Sequence, residues 1–101
     1  MRTSLNINSN LTTLLARVGG SVTVSIAANS YKSVQVPITV PDGYTLVSEL
    51  GYATNNLYVV VYNLYKVAGA NTITIGIKNN ASSTQSITVH TYGLCIKSTF
   101  A

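Results

Sequence analysis

Residues 21–43 read SVTVSIAANSYKSVQVPITVPDG, and the alternation within this stretch decides the fold class. Apolar residues stand at every second position in two runs, Val22–Ile26 and Val34–Val40. A period of two puts one set of side chains on a buried face and the other in water, as in a half-buried β-strand. Ala28-Asn29-Ser30 and Pro41-Asp42-Gly43 have the composition of turns. The stretch therefore predicts two strands, each followed by a turn.

The same pattern recurs along the chain at short intervals. Further strands are predicted over Tyr44–Ala53 and Leu57–Val67, then from Ile73 and from Ile87. Pro37 cannot donate to a ladder, so its strand should lie at an edge or be bulged there. In the last strand the apolar positions change parity between Val89 and Tyr92, which predicts a bulge or a crossing between environments. We expect an all-β chain, with an antiparallel, jelly-roll-like β-sandwich of about six to eight strands over residues 20–101.

Residues 1–19 differ from the rest of the chain and are expected to form a separate leader or shaft-end segment. Four apolar residues are spaced four, three and four apart, as in a coiled-coil seam: Ile7, Leu11, Leu14 and Val18. Gly19-Gly20 would end such a helix. Because the segment covers only about two heptads, two interpretations stay open. It is either a short helix, which could join a trimeric coiled coil, or an irregular leader.

The run Leu57–Val67 is apolar on both of its faces. Leu57, Val59 and Val61 share one face, and the other face carries Tyr58, Val60, Tyr62 and Leu64. Only one face of a strand meets the core of a two-layer sandwich, so the second face needs a further neighbour. We therefore predict a subunit interface that contains Tyr58, Tyr62, Leu64 and the four seam residues.

Charge is scarce: charged residues make up 8% of the chain, with six basic and two acidic side chains and a net charge of +4. The basic residues are scattered singly, whereas nucleic-acid binding usually needs them clustered. The N-terminal residues are polar and do not resemble a signal peptide, and no run of about 18 apolar residues could span a membrane. We predict neither nucleic-acid binding nor membrane insertion.

Residues able to carry catalysis are few. The acidic residues are Asp42 and Glu49, and Asp42 is already assigned to a turn. His90 and Cys95 are the only histidine and cysteine, too few for a metal site of three or four ligands. Neither has an evident third group to orient it as in a catalytic triad. We expect no catalytic residues, no metal, no cofactor and no enzymatic activity.

Tyrosine and asparagine remain as candidates for ligand binding. An aromatic face beside amide donors and acceptors suits a sugar, and the chain offers such sets at Tyr52 with Asn55 and Asn56, and at Asn79 with Asn80. The alternative is that the tyrosines pack a core or an interface and the asparagines only make turns.

Three segments together resemble the small C-terminal modules of bacteriophage tail fibres and receptor-binding proteins. They are SVTVSIAANSYKSVQVPI, PDGYTLVSELGY and NNLYVVVYNLYKVAGANTITIGIKNNASSTQSITVHTYGLCIK. The resemblance implies a β-sandwich that forms homotrimers and binds host cell-surface saccharide. It also implies a place in the virion beside other virion proteins, after synthesis in the host cytoplasm. The alternative is a capsid or tail decoration subunit without adhesive function.

Overall fold

The computed structural model describes residues 14–100, and their regular structure is almost entirely strand. Six strands follow in order: β1 (Leu15–Ile26), β2 (Tyr31–Pro37), β3 (Tyr44–Thr54), β4 (Val59–Lys66), β5 (Thr72–Asn79) and β6 (Gln85–Lys97). A single 3-10 turn, Ser98–Phe100, comes after β6. No helix in this part of the chain is long and apolar enough to cross a lipid bilayer.

The strands form two antiparallel three-stranded sheets, with the orders β1-β6-β3 and β2-β5-β4. The first strand pairs with the last, and the second pairs with the fifth. This nesting of pairs is that of a jelly roll, here built from six strands instead of the usual eight. The predicted all-β sandwich is therefore confirmed.

The core lies between the inner faces of the two sheets. Its centre is formed by alternate residues of the two middle strands, Ile73, Ile75 and Ile77 from β5 and Ile87, Val89 and Cys95 from β6, all fully buried. The edge strands β1, β2 and β3 add Ile26, Val34, Val36 and Leu46. Burial of β-branched side chains from both layers is the main stabilising term for a sandwich of this size.

The two ends of the sandwich differ in what they carry. Leu15 pairs with Ile96, and Tyr44 pairs with Lys97, so the first and last strands begin and end at one end, which we call the terminal end. The loops after β1, β3 and β5 (residues 27–30, 55–58 and 80–84) lie at the opposite end, which we call the loop end. Asn29 N there donates to Ala81 O over 3.2 Å.

The predicted edge position of the Pro37 strand is confirmed, whereas the predicted irregularity in the last strand is wrong. β2 is an edge strand and ends at Pro37. β6 pairs with β1 without any register shift. The bulges lie in the neighbouring strand β3, between Leu46 and Ser48 and between Glu49 and Gly51. Apolar residues on the even positions of β6 mark an apolar outer face, not a strand that changes sides.

The helical interpretation of the leader does not extend to Val18. Strand β1 begins at Leu15, ahead of the expected boundary at residue 20, and Val18 packs against the core from within this strand. Gly19 and Gly20 are also strand residues rather than a helix stop. Leu14, just before the strand, is half-buried. Ile7 and Leu11 lie outside the described residues.

Candidate functional site

The loop end brings together the two polar segments that the sequence offered as sugar-binding candidates. Asn80 N donates to Tyr58 O over 3.0 Å, and Asn56 Nδ2 donates to Gln85 Oε1 over 3.0 Å. Residues 55–58 and 80–85 therefore form one surface.

Asn79 does not belong to that surface. Its side chain is fully buried, and Nδ2 donates to the carbonyl oxygens of Ile26, Ala27 and Ser83 at 3.0, 3.2 and 3.0 Å. Its Oδ1 accepts from Ala81 N over 2.9 Å. Both ends of the amide are occupied by backbone, so the ligand-binding role predicted for Asn79 is wrong and its role is to hold two loops together.

The remaining predicted residues are partly committed to loop structure. Asn55 Oδ1 accepts from Thr88 N over 2.9 Å, and Asn56 Oδ1 accepts from Tyr58 N over 2.8 Å. Tyr52 is half exposed and lies within β3 opposite Thr91. Asn80 is exposed. The amide oxygens of Asn55 and Asn56 thus order the loop that Tyr52 precedes.

A larger aromatic surface covers the outside of the β2-β5-β4 sheet. We call this surface the tyrosine face; its members are Tyr31 of β2, Gly76 and Lys78 of β5, and Val60, Tyr62 and Tyr65 of β4. The exposed fractions of Tyr31, Tyr62 and Tyr65 are 65%, 52% and 45%. Three tyrosines from the two edge strands therefore present their rings to solvent around the middle strand.

The Tyr31 ring contacts both the Tyr62 ring and the Lys78 ammonium group. The ring centroids of Tyr31 and Tyr62 are 5.4 Å apart with an interplanar angle of 78°, an edge-to-face arrangement. Lys78 Nζ lies 5.2 Å from the centroid of the Tyr31 ring, within the range of a cation–π contact. The ammonium group is thus held beside the rings.

Gly76 lets the Tyr62 ring lie on the middle strand. A Cβ atom at this position would stand 2.7 Å from Tyr62 Cε2 and Cζ, closer than non-bonded carbons approach. Thr74, on the same side of β5, is only 2% exposed. Side chains of β2 and β4 therefore cover the outer face of β5. Solvent meets their aromatic rings rather than the backbone of β5.

A bulge in β4 changes which of its residues face outward. The register with β5 shifts between Val61 and Asn63, so that Leu64 packs against the core together with Val61. Leu64 is therefore half-buried against the core, and its place at a subunit interface stays a prediction. Tyr58 and Tyr62, with exposed fractions of 57% and 52%, remain available at the surface.

The outside of the other sheet carries an aliphatic patch near the terminal end. We define this aliphatic patch as Leu94 and Ile96 of β6, which face outward, with Val47 and Leu50, the extra residues at the two bulges of β3. Val47 and Leu50 are 43% and 52% exposed. Beside the patch, the guanidinium carbon of Arg17 lies 4.8 Å from the centroid of the Tyr92 ring.

Glu49 and Cys95, two candidates for catalysis, both take part in the structure of the sandwich. Glu49 Oε1 accepts from Lys66 N over 2.9 Å, which links β3 to β4 across the open edge of the sandwich. Cys95 is buried in the core, and desolvation by this burial raises the pKa of its thiol. Within residues 14–100 no three His, Cys, Asp or Glu residues lie close enough to hold a metal ion, and no pocket is found.

Comparisons with protein-family models, with curated proteins and with solved structures found no match. The candidate functional surfaces are therefore identified from the geometry of the chain itself.

Sequence reasoning missed four members of the tyrosine face: Tyr31, Tyr65, Gly76 and Lys78. Tyr31 has the parity opposite to Val34 and Val36, so its outward direction could be read from the alternation. The contact between the Tyr31 and Tyr62 rings could not be predicted, because it requires that β2 and β4 both flank β5.

Proposed function

We propose that this chain is a receptor-binding or tail-fibre tip module of a bacteriophage virion, which forms trimers and binds host cell-surface saccharide. The observation that carries the proposal is the tyrosine face: exposed rings from two strands, with a lysine among them, on a rigid sheet. Flat aromatic rings with polar hydroxyl groups provide an apolar contact for the C–H face of a sugar and hydrogen bonds for its hydroxyls.

The arrangement of the ends supports a module at the tip of a fibre. Strand β1 begins with Leu15 at the terminal end, and the asparagine-rich loops lie at the opposite end. A shaft joined at the terminal end would leave the loop end and the length of the tyrosine face away from the shaft.

The aliphatic patch supports association between copies. Val47, Leu50, Leu94 and Ile96 carry no charge and lie at the terminal end, where three chains joined at a shaft would be closest. Burial of such residues contributes about 25 cal/mol for each Å² removed from water.

A decoration subunit without adhesive function is the second candidate, and the aliphatic patch is the observation that favours it. The same apolar side chains could dock on another virion protein instead of on copies of this chain. This candidate requires association with virion components and no affinity for saccharide.

Sedimentation and glycan-array binding of the full chain test the proposal together. We expect a trimer that binds saccharide, and Leu50→Lys should shift it toward monomer because it places a charge in the patch. Val60→Lys, a matched change at an exposed valine of the other sheet, should leave the trimer intact. A monomer with no binding on the array or to host envelopes would overturn the proposal, and a pull-down from assembled particles would then test the decoration alternative.

A further inference from the structure

We infer that the tyrosine face binds an acidic polysaccharide, with Tyr31 and Tyr62 contacting sugar rings and Lys78 contacting the negative group that each sugar carries. This inference rests on the saccharide binding proposed above and names its site and ligand class. It replaces the asparagine loops as the principal site, since Asn79 is buried and the amide oxygens of Asn55 and Asn56 accept hydrogen bonds from backbone N–H groups.

The charge distribution favours an anionic ligand. Lys78 is the charged residue among the outward-facing side chains of β2, β5 and β4, and these strands place no carboxylate beside it. The two acidic residues of the chain are elsewhere: Glu49 is bonded to Lys66 N on the β3 side, and Asp42 lies in the β2–β3 loop. The Lys78 ammonium therefore lacks an ionic partner on this face, and an anionic ligand would supply one.

The same charge argues against a second copy of this chain as the occupant. Two tyrosine faces pressed together would move two Lys78 ammonium groups out of water with no carboxylate opposite, which is costly. The residues that define the aliphatic patch include no charged side chain, so copies can associate there while the tyrosine face stays free.

The rings are suited to a polymer of rings rather than to a flexible anionic chain. The rings of Tyr31 and Tyr62 are arranged edge to face, with their centroids 5.4 Å apart. Two aromatic faces of different orientation therefore lie side by side. Gly76 fixes the height of the Tyr62 ring above β5. No pocket is found in the described residues, and the exposed rings of Tyr31, Tyr62 and Tyr65 lie on the outer surface of the sheet, where an extended ligand can reach them.

Binding of the full chain to three polymers tests the inference. Polygalacturonate has sugar rings and charge, dextran has sugar rings without charge, and poly(glycerol phosphate) has charge without sugar rings. We expect polygalacturonate to bind more tightly than the other two. Tyr62→Ala and Tyr31→Ala should each weaken it about tenfold, and Lys78→Gln about two- to fivefold at low salt with a smaller salt dependence.

Two matched controls separate the tyrosine face from other surfaces. Tyr52→Ala, a half-exposed tyrosine of the other sheet, and Lys97→Gln, an exposed lysine at the terminal end, should leave binding unchanged. Gly76→Ala should weaken binding because it displaces the Tyr62 ring while keeping every phenol and charge. Circular dichroism of each variant confirms that the sheet remains folded.

The outcomes distinguish this inference from the proposed function. The acidic-polysaccharide inference is overturned if the chain binds neutral glycans on an array but not polygalacturonate. It is also overturned if poly(glycerol phosphate) binds as tightly as polygalacturonate. In both cases the array result alone decides whether the chain binds saccharide. If polygalacturonate binds but is insensitive to Tyr31, Tyr62 and Lys78, the site is elsewhere. No binding to any glycan overturns both.

Discussion

Asn79 is a buried polar side chain whose four hydrogen bonds join the ends of β1 and β5 to the loop before β6. Removing the amide deletes the buried hydrogen bonds to Ile26 O and from Ala81 N, together with two partly buried ones to Ala27 O and Ser83 O. Each unsatisfied buried group costs about 1–3 kcal/mol. The side chain therefore determines the geometry of the whole loop end.

Asn79→Ala should lower the free energy of unfolding by about 3 kcal/mol, measured by urea denaturation. Asn80→Ala, at the exposed neighbouring position, is the matched control and should change it by less than about 0.5 kcal/mol. Equal effects of the two substitutions would show that the Asn79 amide is not the group that holds the loops.

Thr91 presents the opposite case, a buried polar atom without a partner. Its Oγ1 is one of two such side-chain atoms in the described chain, and the residue is fully buried in the core side of β6. A hydroxyl transferred from water to an apolar site without a hydrogen bond is destabilising.

Thr91→Val should therefore raise the free energy of unfolding by about 1 kcal/mol, since valine has nearly the same shape and no hydroxyl. Thermal unfolding followed by calorimetry would measure it. Thr23→Val on the exposed face of β1, where Oγ1 lies 2.9 Å from Thr88 Oγ1, serves as the control and should give no gain. A destabilised Thr91→Val variant would contradict the assignment of that hydroxyl as unpaired.

At the scale of the elements, β1 passes close to the end of β2 at Gly20. A Cβ atom on Gly20 would overlap the carbonyl oxygen of Pro37 and press on Ile38 and Val36. Because the obstacle is backbone, it cannot turn aside as a side chain would. This contact sets how closely the two sheets approach at that edge.

Gly20→Ala should cost about 2 kcal/mol of stability, the range expected when extra volume is forced into a packed site. Gly51→Ala, in β3 with nothing within 4 Å of the added carbon, should be close to neutral. Chemical denaturation of both variants makes the comparison, and a neutral Gly20→Ala would mean that the sheets can separate there at little cost.

The strands were predictable from alternation, but their bulges were not. Val22, Val24 and Ile26 alternate with polar residues in β1 as expected, and the turn at Pro41 closes through Tyr44 N and Pro41 O. A bulge depends on the partner strand, because the extra residue is defined only by pairing. The bulge at Tyr62 sends Leu64 inward, and no local pattern in Leu57–Val67 reveals it. The tyrosine face therefore could not be predicted without the order of the strands in the sheet.

For the whole molecule, the two outer faces of the sandwich have different chemistry. The β2-β5-β4 side presents exposed rings around a lysine, and the β1-β6-β3 side presents aliphatic residues near the terminal end. Charged residues make up only 8% of the chain, so both outer faces carry fewer charged side chains than is usual for soluble domains. We propose that copies associate through the aliphatic side and that the aromatic side binds the ligand.

Covalent footprinting of tyrosine rings on the assembled full chain, read by mass spectrometry with and without polygalacturonate, tests this division of the two faces most directly. The account predicts that Tyr31, Tyr62 and Tyr65 are modified in the free assembly and become protected when the polymer is added, while Tyr52 is modified equally in both samples. Protection of Tyr31 and Tyr62 before any polymer is present would contradict it, because those rings would then lie between protein surfaces.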